Sequence, residues 1–234
     1  MKLLSKNTLA AAIITIAGLV LVGSMGWSWY KTRTDFFLSG APPASMMNEI
    51  TPKKVPYGQI KPPAFLQTDA LIYGSMTSTA SIVFYGDYTD PKSNILARDI
   101  DTWVRTSKGK IRLIWQYLPA TDKDGNASFE AAVFSECSRL MDDKWIAHTL
   151  MINMPKVGMS DVESLTDQLT DKDGMLYACR KDKNIRDYVR TKVQTARGDG
   201  IDTAPFVFVG THVFPSQSAS STSIIQAAQT YLRL

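Results

Sequence analysis

The sequence predicts an α/β domain in which two parallel strands joined by a helix are followed by a helical insert and an antiparallel hairpin. A transmembrane helix is expected to precede it. Three observations predict this. Apolar, β-branched runs at residues 81–85 and 111–118 flank a stretch with helical spacing, the pattern of a right-handed βαβ unit. Two short apolar runs flank Gly210-Thr211, and glycine at the first central position suits a type II′ hairpin turn. An uncharged run of 22 residues, 9–30, lies near the amino terminus.

That run is long enough to cross the ~30 Å hydrocarbon core as a helix. Trp27, Trp29 and Tyr30 suit a membrane–water interface. Gly23, Ser24 and Gly26 would also suit the cleavage point of a signal peptide. The apolar stretch continues past them, which favours an uncleaved anchor over residues 1–30. No cysteine lies near, so lipoprotein processing is not supported. The expected location is a bacterial-type inner membrane, crossed once, with the domain on the periplasmic or extracytoplasmic side. Residues 31–70 hold six of the eleven prolines and no sustained apolar period. They read as a tether that, at ~3.1 Å per residue in polyproline form, reaches about 100 Å. Its last residues could instead pack on the domain.

The domain proper is expected over 71–234. With 44% apolar and 21% charged residues, the 234-residue chain can build a packed core. The net charge of +4 is spread rather than clustered, so no nucleic-acid partner is expected.

After the first strand, Ile95, Leu96, Ile100, Trp103 and Val104 recur at helical spacing as far as Lys108-Gly109. The second strand ends at Pro119. A helical block over 127–154 carries the apolar positions Ala131, Phe134, Cys137, Leu140, Met141, Trp145 and Leu150. Ser160 and Glu163 read as a capping box opening another helix. Ile185, Tyr188, Val189, Val193 and Ala196 share a face of a helix over 184–197, ended by Gly198-Asp199-Gly200. The hairpin runs through 206–214. Thr222 or Ser223 can cap a last helix with Ile224, Ile225, Ala228, Tyr231 and Leu232 facing inward.

Several segments resemble the DsbA-like thioredoxin-fold family. In residues 73–93, YGSMTSTASIVFYGDYTDPKS, positions Gly74, Ala80, Phe84 or Tyr85, Asp87, Tyr88 and Pro91 match the opening of that family's domain, where a strand ends in Phe-x-Asp-Tyr-x-Cys-Pro-x-Cys. YLPA (117–120), DDKWIAHTLM (142–151) and DGIDTAPFVFVGTHVF (199–214) resemble its second strand, its insert helix and its cis-proline hairpin. The resemblance covers about 160 residues and implies a thioredoxin-like fold with a helical insert over about 125–183.

The departure lies at the reactive turn. The family's two cysteines fall on Asp90 and Ser93, flanking Pro91 and Lys92. Thiol–disulfide exchange needs a thiolate to attack and a second thiol to resolve the mixed disulfide. Neither is available here, so no catalytic residue is assigned. Asp90-Pro91 still makes a good helix start, with Asp at the N-cap and Pro at the first helical position. A capped helix and nothing more is one reading; a retained binding role is the other. By resemblance, Ala204-Pro205 is the cis-proline, and the loop through Phe206 would hold an extended peptide by backbone hydrogen bonds, which needs no thiol.

Cys137 and Cys179 are the two cysteines, neither in a C-x-x-C. An even count in an oxidising compartment predicts one bridge; two buried free thiols are the alternative. His148 and His212 show no metal-ligand spacing with them, so no metal or cofactor is expected. His148 is expected to pack or bond within the insert. Trp103, Trp115 and Trp145 read as core. The function expected is a membrane-anchored, redox-inactive domain that binds a peptide or protein partner as a scaffold or chaperone-like subunit. The alternatives are a protein of the thiol–disulfide pathway assisting a partner that supplies the cysteines, and a purely structural domain.

Overall fold

A computed structural model describes residues 70–232, apart from 76, 79, 142–143 and 170–173. The expected anchor and most of the tether lie outside the described residues. Among the described residues, no helix is long and apolar enough to cross a membrane.

The strands are β1 (Leu71–Tyr73), β2 (Ala80–Gly86), β3 (Ile111–Tyr117), β4 (Phe206–Val209) and β5 (His212–Phe214). They form one sheet in the order β1-β3-β2-β4-β5. β2 and β3 are parallel, with Phe84 opposite Trp115; β1, β4 and β5 pair antiparallel to their neighbours. β2 and β3 are central, and their apolar residues are buried on both faces, which is why each reads as a continuous apolar run. Gly210 turns the hairpin at φ +56°, as a type II′ turn requires at its first central position.

The helices are α1 (Pro91–Thr106), α2 (Ala127–Arg139), α3 (Lys144–Asn153), α4 (Met159–Leu169), α5 (Met175–Lys181), α6 (Lys183–Gly198) and α7 (Ser221–Leu232). α1 links β2 to β3 as the crossover of the βαβ unit, and α7 packs beside it on β2 and β4. α2 to α5 form the insert. Cys137 on α2 and Cys179 on α5 are bonded, with Cα atoms 5.9 Å apart.

The insert meets the sheet along one row of side chains. Phe84 stacks on Trp115 at 4.8 Å between ring centroids, and Trp115 meets His148 of α3 at 4.7 Å. Two residues on, the Tyr117 hydroxyl donates to Glu136 of α2. Gly86 lets this row close: a Cβ there would lie 2.1 Å from the Trp115 ring.

Several local expectations need correction. The block over 127–154 is two helices, α2 and α3. Leu150 and Ile95, apolar positions of their helices, are exposed. Tyr231 is exposed too, because its hydroxyl is used at the hairpin tip, where it accepts from the Thr211 N–H. Ser160 caps nothing: α4 starts one residue earlier, and the Gly158 N–H donates to Asp161 at 2.7 Å. Glu163 instead accepts from Arg180 of α5. The first turn of α7 is capped by Ser220, whose hydroxyl accepts from the Ser223 N–H. Trp115 is core, as expected, but Trp103 and Trp145 are only half-buried.

Candidate functional site

The chain turns from β2 into α1 through Asp87-Tyr88-Thr89-Asp90. Asp87 is buried, and its carboxylate holds the turn. One oxygen accepts from the Thr89 N–H and hydroxyl at 2.8 Å each. The other accepts from the Ala120 N–H at 3.0 Å and the Ser128 hydroxyl at 2.6 Å. A single carboxylate thereby ties the turn to the loop after β3 and to the start of α2.

Asp90 caps α1. Its carboxylate accepts from the N–H groups of Lys92 (3.2 Å) and Ser93 (2.9 Å), donors with no partner inside the helix. The Ser93 hydroxyl adds a third bond, to Asp90 Oδ2 at 2.7 Å. Pro91 occupies the first helical position. Ser93 is fully buried, whereas Pro91 and Lys92 are exposed. The Lys92 ammonium donates to the Ser216 carbonyl, beyond the end of β5.

Beneath the turn, the Tyr88 hydroxyl lies 2.9 Å from Nδ1 of His148 and 3.1 Å from the Ser135 hydroxyl. Asn94 donates to the carbonyls of Tyr88 (2.7 Å) and Met154 (3.1 Å), and the Val157 N–H also donates to the Tyr88 carbonyl. His148 packs within the insert, as expected, with its ring 4.9 Å from that of Trp145. Its hydrogen-bond partner is the core residue Tyr88, so it also joins insert to turn. Burial, with the Arg105 charge adding to it, pulls the His148 pKa down to about 3, so the ring is neutral. Burial pushes the Tyr88 phenol well above its ordinary value.

The Ala204–Pro205 bond is cis. Tyr85 pairs with Phe206 across β2 and β4, so Pro205 begins the neighbouring strand at the end of the sheet where the turn into α1 starts. The structure therefore brings together Asp90, Lys92, Ser93 and the 204–206 loop at one end of the sheet. It does not expose all of them: Pro205 and Phe206 are buried, and Ala204 is half-buried. The Phe206 ring belongs to the core, 5.2 Å from Phe208. It cannot serve as a contact side chain; what this loop can offer is backbone. The residues missed by sequence reasoning are Gly86, Asn94 and Ser135, each defined by a partner distant in sequence.

Cys137 and Cys179 are buried on α2 and α5, in the insert and outside this turn. A groove of about 650 Å³ between α1 and α7, lined by Asp99, Thr102, Thr222 and Gln226 among others, does not include the turn. Among the described residues, no group of three or more His, Cys, Asp or Glu is placed to hold a metal ion.

A family profile described as thioredoxin matches residues 67–227. No curated protein matches the chain. Three solved structures share the fold. A thioredoxin-like oxidoreductase from Silicibacter pomeroyi is 16% identical, with a TM-score of 0.59 over 70% of this chain and 93% of that one. The thiol-disulfide exchange protein alpha-DsbA2 from Wolbachia pipientis is 18% identical, with 0.56 over 69% and 86%. A periplasmic thioredoxin-like protein from Salmonella enterica serovar Typhimurium is 16% identical, with 0.54 over 73% and 94%.

Proposed function

The chain belongs to the thioredoxin family, and from that premise we propose that it is an envelope protein whose domain has given up thiol–disulfide exchange and binds a peptide or protein partner. The observation that carries this is the fate of the sulfur. The chain has two cysteines, and both are consumed in the buried Cys137–Cys179 bond. At the turn, an acid and a hydroxyl bonded to each other stand where the family's reactive pair would be. Exchange requires a thiolate that can reach a partner's sulfur, and this chain offers none there.

What remains is a pre-shaped surface. The turn is held by Asp87, Asp90 and Asn94, and the 204–206 loop begins β4 beside it. An extended segment lying along that loop would be held through backbone hydrogen bonds. The expected anchor at 9–30 and the tether at 31–70 would keep the domain near the outer face of the inner membrane. The periplasmic relative from Salmonella supports an extracytoplasmic setting.

Two measurements on the full chain test this. In an insulin-reduction or thiol-oxidation assay, no turnover above a variant with both cysteines replaced is expected; turnover above it would return the protein to the oxidoreductases. Photocrosslinking from the exposed Thr203, beside the loop, should capture one defined partner in the envelope. A probe there that captures nothing, or captures proteins indiscriminately, would leave a purely structural domain.

A further inference from the structure

The chain enters the domain at the end of the sheet that carries the candidate site. Leu71, Trp115, Phe84 and Val207 stand in one row across β1, β3, β2 and β4. β2 and β3 run towards the turn into α1, and β1 and β4 run the other way, so both of these start at the turn end. Leu71 is therefore three strand spacings, about 14 Å, from Val207. Ala204 lies three residues further towards the turn, about 17 Å from Leu71. The entry point is held firmly. Ala70 and Leu71 are buried. The Ile72 carbonyl accepts from the Trp145 indole N–H at 3.0 Å, and the Tyr73 ring meets Trp145 at 5.4 Å and the Arg105 guanidinium at 4.5 Å.

The loop before β4 has backbone to offer. Among the described residues, neither the N–H nor the carbonyl of Thr203 or Ala204 makes a hydrogen bond, although Ala204 is half-buried. An extended segment lying beside such a loop supplies the missing partners. The chain's own tether contains one within reach. Pro62 and Pro63 favour an extended backbone, which lowers the entropy lost on docking. They lack an N–H, but Ala64, Phe65 and Leu66, which follow them, carry both donor and acceptor. Counted back from Leu71 at about 3.3 Å per residue, these three span about 16–23 Å, enough to arrive at Ala204. The thioredoxin profile begins at residue 67, so the segment lies outside it. We propose that residues 64–66 dock in extended form on the 203–206 loop of their own chain and cover it until a partner segment displaces them. The inference rests on the peptide-binding role proposed above and adds its regulation.

The test uses the full chain in the envelope with Thr203→benzoylphenylalanine, an exposed position beside the loop, and mass spectrometry of the linked peptides. Illumination should join residue 203 to 64–66 of the same chain, at monomer mass. A second chain has residues 60–66 replaced by glycine and serine at equal length, a change that precedes every described element. It should lose that link and capture the envelope partner about tenfold more. At an effective concentration of about 1 mM, a segment with a dissociation constant of about 0.1 mM holds the loop in about ten molecules of eleven. A partner captured equally by both chains overturns the proposal and keeps the peptide-binding role. A link to 64–66 with no partner captured from either chain does the reverse. A link at twice the monomer mass would give the loop to the tether of a second copy and overturns the proposal as well. Neither link nor partner would end both readings.

Discussion

The Ser93 hydroxyl donates to Asp90 Oδ2 at 2.7 Å, so the two positions on which the resemblance to DsbA-like proteins would place the reactive cysteines are joined by a hydrogen bond. The geometry of the turn survives because α1 needs a capped start. The Asp90 carboxylate satisfies two N–H groups of the first turn and sits where the helix dipole favours negative charge.

Asp90→Ala should therefore destabilise the domain by about 1–2 kcal/mol, through loss of the cap and of the buried Ser93 hydroxyl's partner. Urea unfolding measures this. Asp90→Asn, which can still accept from the backbone, should cost less than half as much. Equal losses would show that the cap is not what the carboxylate provides.

Because the turn is intact, Asp90→Cys combined with Ser93→Cys should create a working pair. The helix start would stabilise the first thiolate, and insulin-reducing activity should rise well above that of the parent chain. A doubly substituted chain that folds, forms the new bond and stays inert would mean that the surface around the turn has lost what exchange requires.

His148 makes stability depend on pH. Its folded pKa is about 3 against an ordinary 6.5, so between those values the unfolded chain binds more protons than the folded one. Stability is complete above about pH 6.5 and falls as the pH drops towards 3, by about 5 kcal/mol at most. Glu136 and Glu130 enter lower down. Burial pushes each carboxyl up, but Lys192 and Arg139 around Glu136, and Arg186 with the Gly125 N–H at Glu130, more than offset this and hold both below the ordinary value. The histidine is thus visible between pH 6.5 and 4.5. His148→Phe should flatten stability across that window while leaving the loss below it. An unchanged slope would assign it elsewhere.

Breaking the Cys137–Cys179 bond frees a loop closed across 42 positions. Cys137→Ser with Cys179→Ser should cost about 2–4 kcal/mol, since the chain-entropy limit for such a loop is about 4. Thermal unfolding with and without reductant measures it, and reductant should shift the parent chain but not the variant.

Gly86→Ala should be among the most damaging small substitutions. Its Cβ would lie 2.1 Å from Trp115 and 2.8 Å from the Phe84 ring, both fully buried. Overpacking of this kind costs about 3 kcal/mol, and near-ultraviolet circular dichroism of the aromatic cluster should change with it.

Much of this was legible in the residues. The central strands announced themselves as apolar runs because both faces are buried, and α1 and α6 by their periodic faces. The start of α1 could be read from Asp90-Pro91, since a cap is a property of four neighbouring residues. β1 was not legible: three residues carry no period, and what makes them a strand is β3 beside them. α5, seven residues long, escaped for the same reason. Ile95 and Leu150 carry a helical period and still face outward, because periodicity says which residues share a side and not whether anything covers it.

By itself the sequence determined the central strands and the helix joining them, the cap on α1, the bridgeable cysteine pair and the absence of cysteine at the turn. Each of these is a matter of residue identity or of neighbours along the chain. Only the tertiary structure decided that His148 bonds Tyr88 across 60 positions, that Asp87 gathers Ala120 and Ser128, that Phe206 is core, and that Ile95 and Leu150 are left uncovered. Those facts depend on which distant segments the packed sheet and insert bring within a few ångströms, and a local pattern carries no measure of that distance.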